Sequence, residues 1–567
     1  MINKNKKSKK ESFMQGIVAL MFSQVLIKLL GFVYKWYLTN KEGFGDDGNA
    51  IYSAGYQIYA LLLSIASVGV PNAVSKLIAE RVSLGDYKGS HRIFKIAFCI
   101  FGGIGLGGTL ILLLGARSIA NMMGIPEAEM TLVALSPSIF FVSIMSVFRG
   151  FFNGRSRIKV TANSQTLEQI FKTMFTILIV EIIAIATNAN TTLMAAGANL
   201  ATTFAVITSF IYLSVYYKIY KKEKVEFNNI EIKNGNVKSS VMNKTLLQVV
   251  KNILWVSIPI SLSSILVSIN KNIDSFTVVN LLKNFLTEEA AIAQYGILSG
   301  KVETLTSLPL SFNVAFATAL VPAITVAKAK GEMEQGVRKI SFSLLTTIVI
   351  VLPCVIGMIV FADPILKLLF PRASSGAFIM QVCVVATIFT AMEQTINGAL
   401  QGLGKIMVPA AALSVGVLAK LILNLILVPI PTEICPLGGA AGAAFATDVC
   451  HIIAFSIVFY VLRKTVKFKF DFYKMIIKPL IACLMMSIIS YGLYKLLVNN
   501  IGGQYFNFGM NIGISGQNLV TIISLITAVI SYLISVILLR IFDEQEIKML
   551  PFGTKIYGVL HKIGIFR

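Results

Sequence analysis

The chain has 567 residues, of which 56% are hydrophobic and only 14% are charged, and it carries a formal net charge of +23. With a mean hydropathy of +0.77, it is too apolar for a soluble protein and belongs in a lipid bilayer. The excess of Lys and Arg requires no nucleic acid partner, because the cytoplasmic loops of membrane proteins carry such an excess.

Fourteen apolar runs are long enough to cross about 30 Å of hydrocarbon, which takes roughly 20 residues each. Lys and Arg concentrate in the segments on one side of this topology, which predicts a multi-pass protein of the cytoplasmic membrane with both termini in the cytoplasm. The predicted spans are 14–38, 50–79, 93–115, 131–149, 161–186, 193–217, 251–280, 291–327, 340–362, 376–400, 406–429, 439–462, 475–498 and 518–540.

Part of the sequence occurs twice, with offsets of 248 and 246 residues. Because these offsets span six predicted helices, an even number, the two copies face the same way across the membrane. Parallel repeats of this kind are typical of transporters that alternate access. The paired residues include Gly150 with Gly398, Gly154 with Gly402, Lys172 with Lys420, Ala73 with Ala319 and Arg92 with Arg338.

The spans and the repeat together predict an all-α integral membrane protein with 14 transmembrane helices. Two parallel-repeat lobes of six helices surround a central cavity, and two extra helices follow at the C-terminal end. The predicted segments are an N-lobe at 1–217, a cytoplasmic linker at 218–250, a C-lobe at 251–463, helices 13 and 14 at 464–541, and an amphipathic cytoplasmic tail at 542–567.

Two lysines in the first span are candidate cavity residues, since an ionised group in hydrocarbon is costly unless it faces a cavity, pairs or reaches the membrane surface. Lys28 lies midway along the span and is too deep to reach the surface. Lys35 stands on the same face seven residues later. It either lines the rim of the cavity or extends to the outer interface beside Trp36 and Tyr37.

The seventh and eighth spans contain further ionisable residues. Lys271 and Asp274 are three residues apart, so they either neutralise each other or contribute to a cavity. Lys301 and Glu303 are two apart, so they project in different directions and need different partners. A contact between Lys301 and Asp274 is one possibility.

In the fifth span, Glu168 precedes Lys172 by four residues, which favours an ion pair within one helix, either structural or lining the cavity. Asp448 with His451, and Glu393 with its neighbours, are further polar positions. A single His on a membrane helix is more often a hydrogen-bonded packing residue than a ligand, so no metal site is predicted.

Helix-breaking residues interrupt several spans that otherwise favour straight helices. Gly69 and Pro71 fall within the second span and Pro309 within the eighth. These three residues are predicted hinges that let the lobes bend.

Several stretches together resemble the polysaccharide and oligosaccharidyl-lipid branch of the MOP flippase superfamily, in particular the stage V sporulation protein B and MurJ-type lipid II flippases. The resemblance covers essentially the whole chain. The stretches are KLLGFVYK at 28–35, GVPNAVSKLIAE at 69–80, FRGFFNGR at 148–155, YGILSGK at 295–301 and LVPAI at 320–324.

This resemblance implies a V-shaped pair of lobes around a cationic cavity, with helices 13 and 14 forming a groove for a polyprenyl tail. It implies a flippase that moves a polyprenyl-pyrophosphate-linked saccharide, most specifically lipid II, to the outer leaflet for cell-wall synthesis. We expect Lys28, Lys271 and Lys301, with Lys35 at the rim, to bind the pyrophosphate. We expect no cofactor, only membrane potential or a coupling cation as the energy source, and a monomer in contact with membrane lipids.

Two alternatives remain open from the sequence. One is a cation-coupled multidrug exporter of the same superfamily, although such proteins usually stop at twelve helices and carry an acid in helix 1. The other is a membrane enzyme acting on polyprenyl-linked sugars. Only scattered acids, such as the pair Asp46 and Asp47, lie in the outer loops, so we expect a protein that is not an enzyme.

Overall fold

The computed structural model describes residues 13–67, 69–83, 86–231, 246–466, 468, 470–507, 513–549, 553, 557, 558 and 561. Contacts divide the chain into two compact units. Unit 1 comprises Met1–Asn280 with Glu288–Gly296, and unit 2 comprises Leu281–Thr287 with Ile297–Arg567. The lobe boundaries derived from the repeat stay a prediction.

Unit 1 is built from long helices, joined by short connections in most places. A 3₁₀ turn at Pro126–Ala128 precedes the fifth helix. The helices of unit 1 are α1 (Phe13–Asn40), α2 (Gly45–Ser67), α3 (Gly69–Ser83), α4 (Tyr87–Met122), α5 (Glu129–Gly154), α6 (Ile158–Thr187), α7 (Thr191–Glu231), α8 (Leu246–Leu282, whose last two residues belong to unit 2) and α9 (Glu288–Gly296).

Unit 2 begins with a π-helical turn at Ile297–Val302, and a second π turn at Tyr473–Ile477 leads into α17. A short antiparallel hairpin, β1 (Tyr505–Asn507) and β2 (Gly513–Ser515), joins the last two long helices. The helices of unit 2 are α10 (Glu303–Lys330), α11 (Met333–Val360), α12 (Ala362–Leu369), α13 (Ala377–Cys383), α14 (Val385–Gly402), α15 (Met407–Leu427), α16 (Gly439–Val466), α17 (Lys478–Ile501), α18 (Gly516–Leu538) and α19 (Glu544–Met549).

The prediction of a helical membrane protein is confirmed. Among the described residues, 11 helices are long and apolar enough to cross a membrane, and 12 if the bent pair Glu288–Ser311 and Phe316–Lys330 is one span. Helices α1 and α8 are not among these, so the count of fourteen stays a prediction. Helix α7 continues to Glu231, past the predicted start of the linker at 218, because Lys and Glu are good helix formers in water. Most of the rest of that linker lies outside the described residues.

Two glycines let α5 pack closely against α3 in unit 1. A Cβ added at Gly150 would lie 2.9 Å from the carbonyl oxygen of Pro71. One added at Gly154 would lie 2.6 Å from the carbonyl oxygen of Ser75 and 3.0 Å from Cβ of Ile78. Real side chains do not fit at these distances, so glycine is required for the close approach of the two helices.

The repeat-related glycines play the same part in unit 2, between α14 and α10. A Cβ at Gly398 would clash with the carbonyl oxygen of Ala317. One at Gly402 would lie 2.7 Å from the carbonyl oxygen of Val321 and 2.8 Å from Cβ of Ile324. These contacted residues lie 246 positions after their counterparts on α3, so the two helix pairs use equivalent residues. Repetition over entire six-helix lobes stays a prediction.

Each unit has its own hydrophobic core. In unit 1, rings of α4, α5 and α7 pack together, with Phe94 contacting Phe151 and Tyr217. In unit 2 the core joins α10, α11, α14 and α16–α18. Phe542 and Ile547, from the segment predicted to be a surface tail, also belong to this core, so the described part of that segment is packed against the helices.

Candidate functional site

A buried lysine lies among tyrosines inside unit 1. Lys172 on α6 is only 5% exposed, and its Nζ is 4.3 Å from the ring centroid of Tyr56 and 5.0 Å from that of Tyr34. A cation over aromatic faces is attracted by the electrons of the rings. The ammonium of Lys172 therefore joins α6 to α1 and α2, and no carboxylate among the described residues contacts it.

The predicted pair between Glu168 and Lys172 is wrong. Glu168 Oε2 instead accepts a hydrogen bond of 2.6 Å from Nη2 of Arg149 on α5, and Nε of Arg149 also donates to Ser164 Oγ at 3.1 Å. The planar guanidinium suits two acceptors at once, whereas a lysine does not. The spacing rule that suggested the pair considers one helix only and misses a partner on a neighbouring helix.

Lys35 points into unit 1 rather than to the membrane surface. Its residue exposure is 8%, and Nζ donates to Asn49 Oδ1 and Ser53 Oγ of α2, both at 3.3 Å. The same Nζ lies 4.2 Å from the ring centroid of Tyr52. The alternative in which Lys35 extends to the outer interface is therefore wrong, because one face of α2 offers it two polar acceptors and a ring.

The other predicted cations of unit 1 are more accessible. Lys28 on α1 and Lys271 on α8 are exposed, and Asp274 is half-buried. Asn272 lies between Lys271 and Asp274 on α8 and is buried. Its Nδ2 donates to the carbonyl oxygen of Gln57 at 3.0 Å, and this hydrogen bond joins α8 to α2. Neutralisation of Lys271 by Asp274 stays a prediction.

Lys301 is almost fully buried in unit 2, at 1% exposure. It lies in the π-helical turn before α10, a geometry often found at functional sites. Its Nζ donates to the carbonyl oxygen of Ala373 and to Ser375 Oγ, which lie in the loop between α12 and α13. Gly376 has a φ of +101°, and a Cβ there would clash with Ile297, so only glycine lets this loop close over the lysine.

Sequence reasoning missed the loop that holds Lys301. The only local signal is the run of Ser374, Ser375 and Gly376, which indicates a turn but not the residue that the turn contacts.

Glu303, another predicted site residue, begins α10 and is half-buried. The possible contact between Lys301 and Asp274 stays a prediction.

One of the predicted hinges coincides with a bend in a helix. Gly69 and Pro71 lie within a single candidate span, Gly45–Ser83, and a hinge there stays a prediction. Pro309 lies inside α10, and the helix axis bends by 46° between Ser311 and Phe316. Motion about these positions stays a prediction.

The polar residues of α14 and α16 divide into two separate contacts. Asp448 Oδ1 accepts the backbone N–H of Ala386 at 2.8 Å and so satisfies a free donor in the first turn of α14. One turn further along α16, Nδ1 of His451 lies 3.0 Å from Glu393 Oε2. No group of three or more potential metal ligands occurs within the described ranges.

An apolar groove of about 730 Å³ runs along unit 2. Its walls come mainly from α11 and α18, and Met486 of α17, Ile365 of α12 and Ile547 of α19 contribute further surface. The lining includes Pro353, Gly357, Met486, Ala528, Phe542 and Ile547.

The fold is that of the MOP superfamily of membrane transporters. The structure of the lipid II flippase MurJ in an inward closed conformation matches with a TM-score of 0.64 and 15% identity, covering 92% of this chain and 98% of that one. An inward-facing multidrug resistance MATE family transporter matches with a TM-score of 0.60 and 16% identity, covering 80% of this chain and 98% of that one. The chain is thus a multi-pass membrane protein with this fold.

The sequence places it more narrowly. Residues 13–328, more than half of the chain, match the family described as polysaccharide biosynthesis protein, and the chain belongs to this family. The lipid II flippase MurJ of Bacillus subtilis is 25% identical over 510 residues, covering 87% of this chain and 90% of that protein. Stage V sporulation protein B of the same organism is 26% identical over 377 residues, covering 65% and 69%. The resemblance drawn from the sequence is confirmed.

Proposed function

We propose that this protein is an alternating-access flippase that moves a polyprenyl-pyrophosphate-linked saccharide from the inner to the outer leaflet. Lipid II is the proposed cargo, and cell-wall synthesis the proposed use. The family, described as polysaccharide biosynthesis protein, and the relative named lipid II flippase MurJ support a lipid-linked sugar. We further propose that the protein works as a monomer with both termini in the cytoplasm, without a cofactor and without catalysing a reaction.

The observation that carries this proposal is the apolar groove of unit 2. A polyprenyl tail is a long hydrocarbon chain, and a groove lined by residues such as Pro353, Met486 and Ala528 offers it an apolar surface. Helix α18 forms one wall and α17 adds Met486, and both helices follow the duplicated part of the sequence. A carrier of small soluble drugs has no need of such a surface.

The polar head requires a different environment. A pyrophosphate that leaves water loses hydration worth many kcal/mol unless protein groups replace it. We propose that Lys28, Lys271 and Lys301 supply this replacement, with Lys35 at the rim. Two acceptors of Lys301 are a carbonyl and a hydroxyl, and a phosphate oxygen forms a stronger, charge-assisted hydrogen bond with an ammonium than such neutral groups do.

Membrane potential would then assist transport. Outward movement of a negative head from an inside-negative cell is favoured by about 2.3 kcal/mol per charge per 100 mV. An empty cavity lined by lysines is drawn back toward the inner face by the same field. Because the field favours both the outward movement of the head and the return of the empty cavity, the proposal does not require a coupling cation.

Reconstitution tests the proposal. The purified chain is placed in liposomes with fluorescent lipid II and, in a parallel preparation, with a fluorescent polyprenyl-pyrophosphate oligosaccharide of another sugar sequence. The head group that reaches the far leaflet is scored with a membrane-impermeant quencher. Movement of lipid II alone supports the specific cargo, and movement of both supports the broader class. Movement of neither at verified protein density overturns the proposal.

The likeness to the multidrug resistance transporter supports one alternative, a cation-coupled exporter of drugs. This alternative predicts efflux of organic cations that lipid-linked sugars do not inhibit. The same liposomes loaded with a fluorescent organic cation distinguish the two functions.

A further inference from the structure

We propose that the interior of unit 1 contains a binding site for a small monovalent inorganic anion, centred on the ammonium of Lys172. The rings of Tyr34 on α1 and Tyr56 on α2 lie beside this ammonium. The site is separate from the lysines proposed to bind the pyrophosphate. The inference goes beyond the proposed function and does not depend on which cargo the protein moves.

The ammonium of Lys172 has hydrogen-bond donors that its protein neighbours do not use. A lysine ammonium carries three N–H donors, and buried polar groups normally have hydrogen-bond partners. Among the described residues, no oxygen or nitrogen accepts a hydrogen bond from Nζ of Lys172, whose contacts are the two tyrosine rings. Because the residue is more than nine-tenths buried, a ligand with acceptor capacity suits this position.

The charge of Lys172 favours an anion over a neutral ligand. A charge that is buried without an opposite charge is costly, and attraction to ring faces offsets only part of that cost. The nearby acid on the same helix, Glu168, is bonded to Arg149, so that pair has no net charge. A monovalent anion would neutralise Lys172, whereas a divalent anion would bury an excess of negative charge.

Two hydroxyl groups add further donors near the ammonium. Thr176 lies one turn after Lys172 on the buried face of α6, and its Oγ1 has no hydrogen-bond partner among the described residues. Tyr56 is half-buried, so its hydroxyl group is not sealed into the packing. Each hydroxyl donates one hydrogen bond. Together with the ammonium, these donors suit an ion that only accepts hydrogen bonds, such as a halide.

The repeat in unit 2 has the lysine but not the ring beside it. Lys420, the counterpart of Lys172, is also buried. At the offset of 246 residues, however, the counterpart of Tyr56 is Val302, which has neither a ring nor a hydroxyl group. The set of donors around Lys172 is therefore specific to unit 1, and Lys420 provides a matched control.

Thermal unfolding of the purified full-length chain in detergent tests the site. Midpoints are compared in sodium chloride and in sodium gluconate at equal sodium concentration, because gluconate is too bulky for a site among packed side chains. We expect the midpoint of the wild-type protein to rise with chloride concentration, since a ligand that binds only the folded state stabilises it. Lys172→Met should lose this response, and Lys172→Arg, which keeps the charge, should retain part of it.

Two other lysines control for general effects of charge. Lys420→Met removes the buried lysine of unit 2, and Lys95→Met removes an exposed lysine from α4. Both variants should respond to chloride as the wild-type protein does. Wild-type midpoints that are equal in the two salts, or a chloride response that survives in Lys172→Met, would overturn the proposal.

Line broadening of the ³⁵Cl nuclear magnetic resonance signal measures binding directly. The double variant Tyr56→Phe with Thr176→Val removes both hydroxyl groups but keeps Lys172 and the ring beside it. Its dissociation constant for chloride should rise about tenfold or more, because hydrogen bonds to charged groups are the stronger ones. Tyr460→Phe, which removes an exposed hydroxyl group from unit 2, should bind chloride as tightly as the wild-type protein.

This second measurement decides the question even if Lys172→Met does not fold. Broadening that is absent in the wild-type protein means that Lys172 is solvated by water alone, and it overturns the proposal. A dissociation constant that the double variant leaves unchanged does so as well. Neither experiment contains cargo, so failure of the anion site leaves the flippase intact, and failure of the flippase leaves the anion site intact.

Discussion

Gly154 and Gly402 occupy equivalent packing positions in two different units of the chain. Each would place a Cβ within 3.0 Å of the Cβ of an isoleucine on the neighbouring helix, Ile78 in one case and Ile324 in the other. Replacing either glycine with alanine should destabilise its unit by about 1–3 kcal/mol through overcrowding. The measurement is the thermal unfolding midpoint in detergent. Gly107→Ala is the control, because its Cβ would enter open space. Unfolding midpoints equal to that of the control would contradict the packing described here.

Removal of the Lys172 ammonium should weaken unit 1. Lys172→Met keeps the length of the side chain but loses the attraction to Tyr34 and Tyr56, worth about 2 kcal/mol for a buried cation. The unfolding midpoint should fall, and Lys172→Arg, which keeps the charge, should restore part of the loss. Lys95→Met, at an exposed position of α4, should change nothing. A midpoint for Lys172→Met equal to that of Lys95→Met would refute the cation–ring contact.

Loss of the candidate pyrophosphate lysines should slow flipping. Lys28→Ala, Lys271→Ala and Lys301→Ala should each reduce the initial rate about tenfold to a hundredfold, since a hydrogen bond to a charged group contributes about 1.5–3 kcal/mol. Rates are measured with fluorescent lipid II in liposomes at equal protein density.

Lys367→Ala is the control for these lysines, because Lys367 is a half-exposed partner of Asp363 on the short helix α12. Should Lys28→Ala and Lys301→Ala both flip cargo at the wild-type rate, the site assignment is wrong.

Filling the groove should discriminate between cargo tails. A Cβ at Gly357 meets nothing within 4 Å, and this residue lines the groove, so the side chain of Gly357→Phe starts in open space and adds bulk to the groove. We expect slower flipping of a cargo with a long polyprenyl tail and little change for a short-tailed analogue. Gly103→Phe on α4, also in open space, should affect neither. If Gly357→Phe slowed flipping of the long-tailed and the short-tailed cargo equally, a role of the groove in binding the tail would be contradicted.

The sequence predicted the long helices because an apolar run of roughly 20 residues has few other solutions in a bilayer. Helix ends in water were less predictable, as the extension of α7 to Glu231 illustrates. Partners of buried charges were mostly missed. Arg149 and Glu168 lie on different helices, and Lys301 meets Ala373 across 72 positions of sequence. Such contacts depend on how helices pack, which periodicity within one helix does not encode.

The repeat was the exception, because it carries information between distant parts of the chain. The glycines paired by an offset of 248 contact residues related by an offset of 246. Both offsets were visible in the sequence, and the packing explains why they coexist: one belongs to α5 and α14, the other to α3 and α10.

Phe542 and Ile547 belong both to the core of unit 2 and to the wall of the groove. Ending the chain immediately after α18, for example to attach a purification handle or a fluorescent partner there, would remove this shared wall along with the stability it provides. Fusions placed beyond Met549 keep both. A truncation series across this segment would therefore lose thermal stability and long-tail selectivity at the same residue.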